Sequence, residues 1–145
     1  MRRILCAIDA SERAPQVIGA AVDLAKRTGA RLVLFRAVTI PPELPLDLYM
    51  GTQAKMTDLL FDVAKKDLSA FAAKVPADML QTTHVDIGSP WDAICRAGQK
   101  FEVDLIMVGS HGYSGLDRVL GTTAAKVVNH ADRCVLVVRG DSPFG

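Results

Sequence analysis

The chain has almost no excess of charge. Its 17 lysines and arginines stand against 16 aspartates and glutamates, a formal net charge of +1. That balance gives no electrostatic footprint for DNA, RNA or an anionic membrane surface, and no block of like charges forms a tail. Long apolar runs are missing too, and none reaches the ~18 residues of a membrane span. Arg2 and Arg3 precede an apolar stretch, but Ile4 to Ile8 is shorter than the ~7–15 residues a secretory signal needs. A soluble, cytoplasmic protein without nucleic-acid or membrane partners is expected. Cysteine is scarce: Cys6, Cys95 and Cys134 are odd in number and sit in apolar surroundings, which points to reduced thiols. Cys6 and Cys134 fall in expected strands and should pack in the core.

Several chemical signatures are absent. His84 and His130 form no metal-ligand spacing, and no Ser/His/Asp or Cys/His set is spaced for a nucleophile. There is no G-x-x-x-x-G-K-[ST] phosphate loop. Asp9-Ala10-Ser11-Glu12, where a dinucleotide fingerprint would follow the first strand, lacks its glycines. Protein-kinase motifs are missing as well.

What is present is a regular alternation. Half of the 145 residues are hydrophobic, enough for one cored domain over residues 1–145. Arg3–Asp9 and Arg31–Val38 read as buried strands. Between them Arg13–Thr28 carries Val17, Ile18, Ala21, Val22, Leu24 and Ala25 at helical spacing, with Pro15 near its start and Gly29 at its end. Thr52–Val75 is the longest expected helix, with Met56, Leu60, Ala64, Leu68, Phe71 and Val75 on one stripe and charge opposite. Met79–Ile87 alternates in part, as an edge strand does. Ser89-Pro90-Trp91-Asp92 reads as a capped start of a helix running to Phe101, with Asp92 returning to the cap. Asp104–Val108, Thr122–His130 and Arg133–Arg139 complete the pattern, and the tail after Gly140 should fray. The segment Thr39–Gly51, with Pro41, Pro42 and Pro45 among large apolar residues, is a long loop; it either serves function or an interface, or folds over a core edge.

The order β-α-β-α-β-α-β-α-β calls for a parallel sheet covered on both faces. The expected fold is a doubly wound α/β domain with five strands in the order 3-2-1-4-5, its ligand site beyond the strand ends where that order reverses. There the residues after the first strand, Asp9-Ala10-Ser11, face those after the fourth, Gly109-Ser110-His111-Gly112. An apolar strand, a glycine-punctuated loop and the helix opening at Gly121-Thr122-Thr123 aim backbone N–H groups at a phosphate. Glycines there permit close approach or positive φ. Asp9 repels phosphate; it can accept hydrogen bonds from a ribose or base, hold a metal that bridges to phosphate, or cap the first helix. His111 is a loop histidine that is solvated or hydrogen-bonded locally, or else donates to a phosphate or acts in proton transfer. Arg118 and Lys126 can neutralise phosphate charge or lie on exposed faces, and Trp91 reads as a core or rim anchor.

With these residues the chain resembles the universal stress protein family over nearly its whole length. The resemblance rests on Ile4-Leu5-Cys6-Ala7-Ile8-Asp9-Ala10-Ser11, Gly88-Ser89-Pro90, Gly109-Ser110-His111-Gly112, Gly121-Thr122 and Cys134-Val135-Leu136-Val137-Val138. The family's ATP-binding branch has G-x-x-G, nine residues, then G with Ser or Thr. Gly109, Gly112 and Gly121-Thr122 match, but only eight residues, Tyr113 to Leu120, intervene. The resemblance implies ATP, with magnesium or manganese, as ligand. It implies that Ala7, Ile8 and Asp9 line the adenosine side and that Ala37 offers backbone groups to adenine. Gly109, Ser110, His111 and Gly112 would wrap ribose and phosphates, and Gly121, Thr122 and Thr123 would hold the distal phosphates. It also implies a homodimer through the last strand, Arg133–Arg139. Nothing in the sequence activates a water for in-line attack, so a stress-response regulatory or sensor module with at most slow hydrolysis is expected, and no catalytic residue is assigned. The other branch, a nucleotide-free dimeric stress module, is the alternative that the shorter loop favours. A phosphoacceptor receiver domain shares the fold class but would need an acidic pair where Asp9-Ala10 stands, and Asp86 fits its acceptor position only loosely.

Overall fold

A computed structural model describes residues 1–39, 50–110 and 120–144; for residues 50–54 only the helical backbone is described. The elements in chain order are β1 (Arg3–Ala7), α1 (Ala14–Thr28), β2 (Arg31–Val38), α2 (Met50–Ala72), β3 (Leu80–Ile87), α3 (Pro90–Lys100), β4 (Leu105–Gly109), α4 (Thr122–His130) and β5 (Cys134–Val138). All strand pairs are parallel, and the sheet order is β3-β2-β1-β4-β5. The alternation of side chains along each strand divides the core in two. Ile4, Cys6, Leu32 and Leu34 pack on one face with Val17, Ala21 of α1 and Ala64, Leu68 of α2. Leu5, Val33, Phe35 and Ile106 pack on the other with Ala93, Ala97 of α3 and Ala124, Val127 of α4. This is the doubly wound arrangement that continuous apolar strands demand.

Local chemistry sets the element ends. α1 starts with proline in its first turn and stops at Gly29, whose φ of 75° suits glycine and whose N–H donates to the Ala25 carbonyl at 2.8 Å. β1 ends at Ala7 rather than Asp9. Ile8 still donates its N–H to the Phe35 carbonyl at 2.9 Å, but the Asp9 carboxylate then accepts the Ser11 N–H at 2.9 Å and turns the chain away. β4 begins at Leu105 because the Asp104 side chain takes the N–H groups of Arg2 and Arg3, at 2.6 and 3.0 Å. α2 is shifted from Thr52–Val75 to Met50–Ala72, its end closing in single turns from Lys74 to Phe71 and Val75 to Ala72.

Three expectations are corrected. Ser89 is the N-cap residue of α3, but its side chain makes no capping bond. Asp92 does not return to it; its carboxylate accepts from Arg96 Nε at 2.9 Å. Cys134 is exposed rather than packed, because it opens β5 at the sheet margin, whereas Cys6 is fully buried and its thiol is pushed up to about 12 by that burial. The outer face of α2 is not purely charged: Leu59 is 63% and Val63 45% exposed. The long segment after Thr39 lies outside the described residues except at its ends.

Candidate functional site

β1 is flanked by β2, whose chain arrived through α1 on one face, and by β4, which leads to α4 on the other. Because β1 ends first, a crevice of about 550 Å³ opens above its carboxyl end. Its floor is Ala7, Ile8 and Asp9. One wall is Arg13 and Val17 of α1 with Arg36, Ala37 and Thr39; the other is Pro90 and Ile94 of α3, Val108 and Gly109, and Gly121 to Ala124.

Beside the side chains of Asp9, Arg13 and Arg36, backbone groups face this space, and strand alternation says which. Phe35 bonds toward β1 through its carbonyl, and Val38 bonds toward β3 by accepting from Gly88 N–H at 2.9 Å. Ala37 lies between these directions, so its amide and carbonyl turn toward the space that β1 has vacated. Ser110 donates its N–H to the Val138 carbonyl on the β5 side at 3.0 Å. Gly109 therefore turns the opposite way, toward the carboxyl end of β1 where the crevice opens.

The third polar feature is the N-terminus of α4. Gly121 is its N-cap residue, with extended φ and ψ of −61° and 159°, and no side chain caps the helix. The first intrahelical bond runs from Ala125 N–H to the Gly121 carbonyl at 2.9 Å. The N–H groups of Thr122, Thr123 and Ala124 precede that bond, so the helix leaves them to an outside acceptor, with the positive end of its dipole behind them. The φ of Gly121 is negative, so its glycine is not needed for backbone conformation. What glycine provides there is the lack of a capping oxygen.

Of the residues singled out from sequence, Ala7, Ile8, Asp9, Ala37, Gly109, Gly121, Thr122 and Thr123 all line this one crevice. Ser110 does not: it is buried, 8% exposed, and joins β4, β5 and α4 by accepting the Gly121 N–H at 3.4 Å. His111, Gly112 and Arg118 lie outside the described residues. Asp9 does not cap α1, whose N-cap residue is Arg13; it makes the local turn to Ser11 instead. Lys126 and His130 lie against Trp91, with Lys126 Nζ 5.9 Å from the indole ring and the His130 ring 4.6 Å from it. Asp86 is held by Arg96 Nη1 at 3.3 Å.

Sequence reasoning missed Arg36 and Arg13. Arg36 carried a signal, a cation inside the apolar run Leu32–Val38. Its side chain is only 16% exposed and donates through Nη1 to Asp67 Oδ2 at 3.0 Å. Among the described residues no group of His, Cys, Asp or Glu is arranged to hold a metal ion, and no helix is long and apolar enough to cross a membrane.

A parallel sheet wound on both sides, with an open helix N-terminus at its switch point, defines a doubly wound α/β protein. The chain belongs to the universal stress protein family, whose sequence profile matches residues 1–139. It is 29% identical over 140 residues to universal stress protein A homolog 1 of Coxiella burnetii, covering 94% of this chain and 95% of the relative. It is 28% identical to a putative universal stress protein of Staphylococcus haemolyticus, covering 95% and 84%. Among solved structures, UspA of Lactobacillus plantarum superposes with a TM-score of 0.79 at 29% identity, covering 95% of this chain and 97% of that one. A universal stress protein solved in complex with cAMP shares the fold at a TM-score of 0.59 and 22% identity, covering 95% and 96%.

Proposed function

We propose that this protein is a cytoplasmic nucleotide-binding stress module, one domain over residues 1–145, that takes ATP in the crevice above β1 and acts by its bound state. The observation that carries the reading is the uncapped α4 N-terminus, which opens onto the same crevice as the Gly109 and Ala37 backbone groups. Phosphate oxygens replace the missing cap; Ala37 supplies a donor and an acceptor of the kind an adenine edge pairs with. Asp9 is the carboxylate on the floor, suited to ribose hydroxyls. With Asp9 the one carboxylate among the described lining residues, a magnesium or manganese ion would be held chiefly by the phosphates and water. No general base is assigned, so hydrolysis is slow and occupancy is the signal. The dimer joins through β5, which among the described residues pairs only with β4 and turns the backbone groups of Val135 and Val137 to its outer side.

The eight residues between Gly112 and Gly121 favour the second reading, a nucleotide-free dimeric module. Thermal melting with ATP and magnesium separates the two. At one hundred times Kd a single site adds about 2.7 kcal/mol. No change in Tm at millimolar ATP would remove the nucleotide reading and leave the second.

A further inference from the structure

Arg36 is an anomaly in its strand. Its neighbours Phe35 and Ala37 face α3 and α4, and Leu34 and Val38 face α1 and α2. Arg36 therefore emerges on the α1–α2 face, at the crevice wall, where Asp67 of α2 receives it. The pairing is lopsided. A guanidinium has five N–H donors in a rigid fork that suits two oxygens at once. Here the bond is from one nitrogen to one oxygen, and the Asp67 carboxylate is 53% exposed while the arginine is 16% exposed. A largely desolvated cation is thus held by a carboxylate that water can reclaim. Only the carboxylate side of the pair is well exposed, so an anion entering the crevice can exchange for Asp67 without leaving the buried guanidinium unpaired.

That anion is not the one at α4. β2 and β4 stand on either side of β1, so the strand that carries Arg36 and the strand that leads to α4 are two spacings apart, roughly 10 Å. Arg36 and α4 also lie on opposite faces of the sheet. One phosphate chain seated on Thr122 and Thr123 leaves Arg36 unused. Resting on the nucleotide reading above, we propose that Arg36 is a specificity-determining residue for nucleotides that carry a second phosphate on the ribose 2′ or 3′ hydroxyl. In the unliganded protein Asp67 holds the guanidinium in place; in the complex the ribose phosphate takes it. Asp9 on the floor opposes a second anion, so release from Asp67 is what makes the site accept one.

Isothermal titration of the full chain with AMP, adenosine 2′,5′-bisphosphate and adenosine 3′,5′-bisphosphate tests this. At least one bisphosphate should bind about tenfold or more tighter than AMP, the gain of a charge-assisted bidentate contact. Arg36→Met should collapse that ratio toward one. Asp67→Asn, which keeps the shape of the pair and removes the competing charge, should raise the ratio. Circular dichroism melting reports whether each variant is folded. Bisphosphates that bind no tighter than AMP, or a ratio that Arg36→Met leaves standing, overturn the inference. ATP that binds while the ribose phosphate gives no gain sinks this inference alone; failure of AMP and ATP to bind sinks the nucleotide reading with it.

Discussion

Gly121→Asp separates binding from folding because it should move them in opposite directions. Gly121 already has φ and ψ of −61° and 159°, a conformation any residue adopts and the usual one for a helix N-cap. An aspartate placed there supplies the oxygen that α4 lacks and accepts from the N–H groups of Thr123 or Ala124. Relative to glycine the cap is worth a few tenths of a kcal/mol, and a carboxylate at the positive end of the helix dipole adds about 0.3–1 kcal/mol. The variant should be about 0.5–1.5 kcal/mol more stable, a rise in Tm of roughly 2–5 °C for a chain of this size. The same carboxylate occupies the donors assigned to phosphate and places a negative charge beside it. Losing even one charge-assisted hydrogen bond costs about 1.5–3 kcal/mol, so two lost bonds weaken ATP by at least about a hundredfold. Differential scanning fluorimetry reads both effects on one sample: a higher Tm without ligand and no further rise with ATP. A variant that binds ATP like the parent refutes the assignment of these amides. A less stable variant refutes the claim that the helix start is uncapped and open.

Three further expectations concern the scaffold. Gly88 has φ of 147°, and an added Cβ would sit 3.2 Å from Arg96 Nη2, so Gly88→Ala should cost about 1–3 kcal/mol in chemical denaturation. The His84 ring packs between Phe35 and Phe101, with centroids 6.0 and 5.2 Å away. Partial burial first, and then the Lys100 charge, lower its pKa below 6.5, against a smaller upward pull from Asp86. The unfolded chain therefore protonates first, so this contribution is intact above pH 6.5 and is lost as pH falls from there toward the folded pKa. Denaturation midpoints should decline across that window, and His84→Phe should flatten the decline. In β5, Val138 accepts from Ser110 and so faces β4; by alternation the Val137 N–H points to the open edge. Val137→Pro removes that donor and spares the ladder to β4, so sedimentation should show a folded monomer if β5 forms the dimer. A dimer that persists assigns the contact elsewhere.

The fold was readable because its signals are repeated. Each strand is a short apolar run, each helix has an apolar stripe, and β2 and α4 have the boundaries their patterns indicate. The alternation called for a doubly wound parallel sheet, and of the orders that class allows the structure has the expected 3-2-1-4-5. Single-residue geometry was less readable. Asp9 reads equally as cap, metal ligand or ribose partner, and only coordinates show the turn to Ser11 that ended β1 early. The Ser89 and Asp92 spacing matches a capping box, but Arg96 one turn on offers Asp92 a full charge and wins. Cys134 follows the strand rule for burial, yet a residue that begins an edge strand has too little covering it. Arg36 was visible as a cation in an apolar run, but its meaning depends on Asp67, 31 positions away, and a partner at that distance cannot be read from a single sequence.

The central claim is that the N–H groups opening α4, on the crevice wall they share with Gly109, hold the phosphates of a nucleotide. Nitrogen–proton correlation spectra of the labelled protein, recorded through an ATP titration with magnesium, observe those amides individually. The account predicts saturable shifts at Gly109, Thr122, Thr123 and Ala124, with Ala37 shifting at the same ligand concentration. Spectra in which these amides stay fixed while ATP saturates another part of the protein, or in which nothing moves at all, would contradict it.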